Sequence, residues 1–208
     1  MIVPSMNSDE LVKEILNDEL FVKRKAVHLI KDFRREAIKT RNKHLTKYYN
    51  YKSPKKNYWL IYIENNSGSP RIVAIVYYID DKGINAVTSS SNKEMIIHYS
   101  SHFLARYNER FLKQGNVSKL DVLKLFIPKN HVSTHGFLQH LNTGQITIFT
   151  KFKDGIGLGV YEEINDKKFI SLKTYISEDM IKDSQQTAYG SLNESFIKYW
   201  DNFFAGRD

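Results

Sequence analysis

The chain has 208 residues and no cysteine, which excludes a disulfide framework, thiol catalysis and any Cys-ligated metal. Apolar residues are 41% of it and charged residues 26%, a globular rather than a disordered composition. The net charge of +8 is unevenly carried: Phe21 to Lys56 holds 13 Lys and Arg against two acids, +11 in that segment and −3 elsewhere, so one stretch suits a polyanion partner. The opening residues lack a basic stretch followed by an apolar one. No run approaches the roughly 18 apolar residues of a membrane span, so the expectation is a cytoplasmic protein that does not engage a membrane.

Leu11, Ile15, Leu20, Val27, Ile30 and Phe33 recur at helical spacing, and no Gly or Pro interrupts residues 8–47. Two helices are predicted, with a break near Asn17–Asp18. The second carries basic side chains around more than one face. Lys23, Arg24, Lys25, Arg34, Arg35 and Arg41 are the candidate nucleic-acid contacts, and a solvated helix surface accounts for the same charges. Tyr48, Tyr49 and Tyr51, interleaved with Lys47 and Lys52, fit either base stacking or an edge docked on a sheet. Ser53-Pro54-Lys55-Lys56 closes this basic helical segment, 1–56, and a β-rich part, 57–208, follows.

Strands are predicted at Tyr58–Glu64, Arg71–Ile79 and Ile84–Ser89, with a short one reaching Ile97; Asn65–Pro70 and Asp80–Gly83 supply the turns of an antiparallel meander. Ser100 or Ser101 then caps a helix. His102, Arg106 and Arg110 recur every four residues along one stripe of it, beside a core-facing stripe of Phe103, Tyr107 and Phe111. Gly115-Asn116 ends this helix, and another runs from Ser118 until Pro128 stops it. His131, His135 and His140 fall in a loop-like stretch. With His98 and His102 they raise a metal site, but neither cysteine nor carboxylate stands at ligand spacing, and no metal or cofactor is expected.

The last third predicts three strands, Gly144–Phe152, Ile156–Glu162 and Phe169–Ile176, the first pair joined by an Asp154-Gly155 hairpin signal. Gly157 and Gly159 mark a bulge or a close approach. Ser177-Glu178-Asp179 opens a short helix. Ser191 to Glu194 has the form of a capping box for a final helix with Phe196, Trp200, Phe203 and Phe204 on one side, either core or a homodimer interface. The fold class is α+β: an antiparallel twisted sheet packed by helices, with an N-terminal helical segment and a C-terminal helix.

From Ile96 to about Met180, this order of elements resembles the small BECR-type domains, the group named for barnase, EndoU, colicin-type tRNases and RelE. The matching residues are Ser100, His102, Arg106, Glu109 and Arg110 on the helix, with Thr174 and Tyr175 on the last strand. The resemblance implies a metal-independent, toxin-like endoribonuclease, with RNA as substrate and an antitoxin as a protein partner. His102 would transfer protons, Arg106 and Arg110 would clamp phosphate oxygens, and Thr174 and Tyr175 would position the phosphate or stack on a base. Glu109 would be a second acid or base, or the partner of a neighbouring cation. The family also has members without activity. The alternative is therefore a non-catalytic nucleic-acid-binding or protein-interaction domain that uses residues 21–56.

Overall fold

A computed structural model describes residues 1–66, 69–90, 94–131, 133–139, 146–181, 190–191, 193–195 and 197–198. The N-terminal helix α1 (Ser8–Thr40) is continuous. Asn7 caps it with a complete capping box: its side chain accepts from Glu10 N at 2.9 Å, and Glu10 accepts from Asn7 N at 3.0 Å. The predicted break at Asn17–Asp18 is absent. Asp18 is fully buried in mid-helix, where its carboxylate accepts from Trp59 Nε1 at 2.7 Å and Asn57 Nδ2 at 3.0 Å. A residue that reads as a helix boundary is instead the polar bolt between helix and sheet.

Among the described residues the strands are β1 (Thr46–Lys52), β2 (Tyr58–Asn66), β3 (Ser69–Ile79), β4 (Ile84–Ser89), β5 (Met95–Tyr99), β6 (Thr134–Gln139), β7 (Ile146–Lys151), β8 (Ile156–Ile164) and β9 (Lys167–Ile176). All nine join in one open sheet, in the order β1-β2-β3-β4-β5-β9-β8-β7-β6. Two meanders, β1–β5 and β6–β9, meet where β5 and β9 pair in parallel; every other pair is antiparallel. His135 therefore lies on an edge strand, not in the loop its flanking residues suggest. Between β5 and β6 the chain forms α2 (Ser101–Tyr107), a π-helical turn (Asn108–Leu112) and α3 (Lys119–Asn130).

Side chains alternate across the sheet, and both faces are covered. On one, Trp59, Ile61, Ile63, Val76, Val87, Ile96 and Phe169 pack under Leu11, Val12, Ile15, Val22, Leu29 and Phe33 of α1. On the other, Leu60, Tyr62, Ile75, Ala86, Ile97, Ile170 and Leu172 pack under Phe103, Leu104 and Tyr107 of α2 and Val122, Leu123, Phe126 and Ile127 of α3. The near-continuous apolar run of β2 follows from this, since a strand buried on both faces has no polar side to show.

Two local departures shape the second face. Pro128 does not stop α3, which runs two residues past it. Proline lacks the N–H that would bond Lys124 O one turn back. That carbonyl accepts from Tyr48 OH at 2.7 Å instead, so β1 supplies the missing donor. On β9, Leu158 and Gly159 of β8 pair with Thr174 and Leu172, leaving Lys173 as an extra, bulged residue. The bulge reverses the alternation, so Tyr175 joins Ile170 and Leu172 beneath α2. It also presses the strands together: a Cβ on Gly159 would sit 2.1 Å from Ser171 O.

Among the sequence-based expectations, His140, Phe196, Trp200, Phe203 and Phe204 lie outside the described residues. Gly190 and Ser191 are already helical, and Ser195 Oγ donates to Ser191 O at 2.9 Å, which sets Ser191 inside that helix and not at its cap. No helix among the described residues is long and apolar enough to cross a membrane.

Candidate functional site

Two clusters contain the residues that the sequence singles out. The first surrounds α2. Ser100 is its N-cap, its Oγ accepting from Phe103 N at 3.2 Å, while Asn85 Oδ1 accepts from Ser101 N at 3.0 Å. Asn85 is itself held by Asp80 at 2.8 Å, so the β3–β4 turn fixes where α2 starts. His102 then stands exposed on the first turn. Arg106 Nε donates to His102 Nε2 at 3.5 Å, the far limit of a hydrogen bond, and the same guanidinium is ion-paired with Glu109. His102, Arg106 and Glu109 thus share one solvent-facing patch. The cleft beside α2, about 220 Å³, is lined by Ser101, Leu104, Ala105 and Asn108, the opposite flank of the helix.

The remaining members of this predicted constellation are elsewhere. Arg110 turns down at the π-helical turn and donates to the backbone carbonyl of Tyr175. Tyr175 is fully buried, its ring edge-on to Phe103 and Tyr107 at 6.1 and 5.2 Å and its hydroxyl donating to Asp154 O. Tyr175 therefore has no free face to stack on a base, which corrects the expectation for it; the bulge at Lys173, opposite the Gly159 that marks a bulge or close approach in the sequence, turned it inward. Thr174, its neighbour on the strand, faces the opposite side of the sheet from α2. Burial pushes the Tyr175 and Tyr107 phenols far above their ordinary range, the Asp154 carboxylate adding to the effect. Both phenols stay neutral donors.

Beneath α2 lies a polar knot that sequence reading missed. Asp154 Oδ2 accepts from Tyr107 OH at 2.8 Å and Asn130 Nδ2 at 3.1 Å, and Asn130 Oδ1 accepts from Asp154 N at 3.2 Å. It ties α2, α3 and the β7–β8 hairpin together. Its only sequence signal is Asp154-Gly155, which reads equally well as an ordinary turn.

The histidines are structural in their surroundings. His98 is stacked between Tyr78 and Phe169 and bonded to Ser171 Oγ at 3.0 Å; His135 Nδ1 meets Thr150 Oγ1 at 3.0 Å; His131 meets Pro128 O at 2.9 Å. Burial lowers all three to about 4, with Lys173 adding to the effect at His98 and Arg71 at His131. Among the described residues, no three His, Asp or Glu side chains converge as a metal site would require.

The second cluster is the outward face of α1. Val22, Ala26, Leu29 and Phe33 point into the sheet, so the opposite face carries Arg24, His28, Lys31 and Arg35, flanked by Lys23, Lys25, Arg34 and Lys39. The only two acids of the stretch are engaged: Asp32 with Arg35 at 3.5 Å, and Glu36 with Lys47. Lys23 pairs with Glu19 at 3.4 Å. Arg24, Lys25, Lys31, Arg34 and Arg41 are exposed and have no acidic partner among the described residues. The helix dipole favours cations only in the last turn, so it does not account for Arg24, Lys25 or Lys31. No protein-family model, curated protein or solved structure matches the chain.

Proposed function

We propose that this protein binds RNA through the outward face of α1. The observation that carries the reading is the set of unpaired cations Arg24, Lys25, Lys31 and Arg34 on a helix whose inner face is fixed to the sheet, with Arg41 at its C-cap. Residues 21–40 of that helix extend about 30 Å at 1.5 Å per residue, long enough to follow several successive phosphates. Such contacts neutralise a backbone without reading bases, so the binding is strong at low salt and weakly selective for sequence. The test is fluorescence anisotropy of labelled RNA with an Arg24→Glu/Lys31→Glu/Arg34→Glu variant. Binding at least tenfold weaker in about 0.1 M salt, with the thermal midpoint unchanged, is the expected result. Equal affinity for both proteins refutes it.

A second reading, metal-independent RNA cleavage, rests on the exposed grouping of His102 with Arg106 and Glu109. An imidazole beside a guanidinium has the components for moving the 2′-OH proton and steadying phosphate charge. Against it, Glu109 already neutralises Arg106, and Arg110 is committed to Tyr175. Incubating RNA in EDTA with wild type and a folded His102→Ala variant separates the readings. Fragments with 2′,3′-cyclic phosphate ends from wild type alone favour cleavage; intact RNA in both lanes leaves binding alone.

A further inference from the structure

The basic segment does not end on α1. Lys52, the last residue of β1, is the register partner of Tyr58 on β2, and Tyr58 is the partner of Tyr77 on β3. Directly opposed residues share a face, so the three form a row across the sheet on the side that α2 and α3 cover. The cover stops short of them. Leu60, next inward from Tyr58 on this face, is fully buried, whereas Tyr58 is 48% exposed. The two tyrosine rings lie 6.0 Å apart at 33°, and Lys52 Nζ sits 5.1 Å from the centre of the Tyr58 ring. Beyond them, at the strand ends, opens a cleft of about 400 Å³ whose lining includes Tyr58, Tyr77, Ile79, Lys56 and Pro4. Ile79 at its rim is 67% exposed.

We infer that Tyr58 and Tyr77 form a base-stacking platform for single-stranded RNA, with Lys52 and Lys56 taking the adjoining phosphates. Every base offers a π-face, so an exposed aromatic pair beside cations takes unpaired bases with little regard to sequence, Lys52 swinging from the Tyr58 ring to a phosphate as a base arrives. A duplex keeps its bases stacked inside and gains nothing from the platform. The inference takes the identity of the ligand from the RNA reading but not the surface. The basic half of α1 ends beside Asn65 and Pro70 at the far end of β2, about 23 Å away at 3.3 Å per residue.

The test compares a labelled single-stranded RNA of about six nucleotides with an RNA duplex of about 20 base pairs. Tyr58→Ala/Tyr77→Ala should weaken binding of the short strand by about tenfold or more and leave the duplex within about twofold, whereas Tyr58→Phe/Tyr77→Phe should bind both as wild type does. Tyr58→Ala alone, at an exposed position, should lose about fivefold on the strand and serves if the double variant is destabilised. Wild-type affinity in the Ala variants, equal losses on strand and duplex, or no binding of the short strand by wild type would overturn the platform. If α1 charge reversal spares the duplex while Tyr58→Ala still loses the strand, the α1 reading fails and the platform stands.

Discussion

Replacing Asn130 with Ala probes the knot that holds α2 over the sheet. Asn130 is 1% exposed, and its amide serves Asp154 N at 3.2 Å, Asp154 Oδ2 at 3.1 Å and Phe126 O at 3.2 Å. Phe126 O keeps its helical donor, and Asp154 is only partly buried, so water recovers part of the loss there. Two hydrogen bonds are lost, the charge-assisted one to the carboxylate at about 1.5–3 kcal/mol and the neutral one from Asp154 N at about 0.5–1.5 kcal/mol, which gives roughly 2–4 kcal/mol in all. That is a large share of the roughly 5–15 kcal/mol that keeps a domain folded. With a urea slope of about 2 kcal/mol/M, the midpoint should fall by about 1–2 M while the slope is unchanged. RNA binding by α1, on the opposite face, should persist. A midpoint shift below about 0.3 M would show that the knot does not hold α2 and would refute the reasoning.

Lys124 O depends on Tyr48 because Pro128 cannot serve it, so Tyr48→Phe should cost about 1 kcal/mol. The cost should shrink in a Pro128→Ala background, where an amide returns; chemical unfolding of the four proteins in a double-mutant cycle measures the coupling. Gly159→Ala should prevent stable folding, because its Cβ would lie 2.1 Å from Ser171 O; soluble yield and the thermal midpoint report it. Burial lowers the folded pKa of His98, His131 and His135 to about 4 from 6.5, so the unfolded chain binds more protons between those values. Their stability contribution is complete above pH 6.5 and is lost as pH falls toward 4, at about 1.4 kcal/mol per unit per site. Unfolding monitored against pH should show this fall, and His98→Gln should make it shallower. A flat profile across that window would contradict the burial of these rings.

The helix-forming periodicities and most strand limits were legible, because they depend on residues close in sequence. The joining of both meanders into one sheet was not. The β5–β9 pairing links segments far apart, and each strand alone is only a short apolar run. Asp18 and Pro128 read as helix boundaries because the contacts that override them, from Trp59, Asn57 and Tyr48, come from other elements. The α2 stripe was placed correctly as far as His102 and Arg106, where α-helical geometry holds. Past Tyr107 the π-helical turn, which has no local signature, carried Arg110 to β9; Gly159 did mark the bulge or close approach, but not that the extra residue would be Lys173 on the neighbouring strand and turn Tyr175 inward. The outward charge of α1 needed only its buried stripe to be known.

The measurement closest to the central claim is the salt dependence of RNA binding by wild type and by an Arg24→Gln/Lys31→Gln/Arg34→Gln/Arg41→Gln variant. Each phosphate neutralised on a duplex contributes about 0.9 to the slope of log affinity against log salt. If these four cations contact phosphates, the variant binds more weakly and its slope is shallower by about 3–4. The same slope and affinity in both proteins would mean that RNA does not lie along α1.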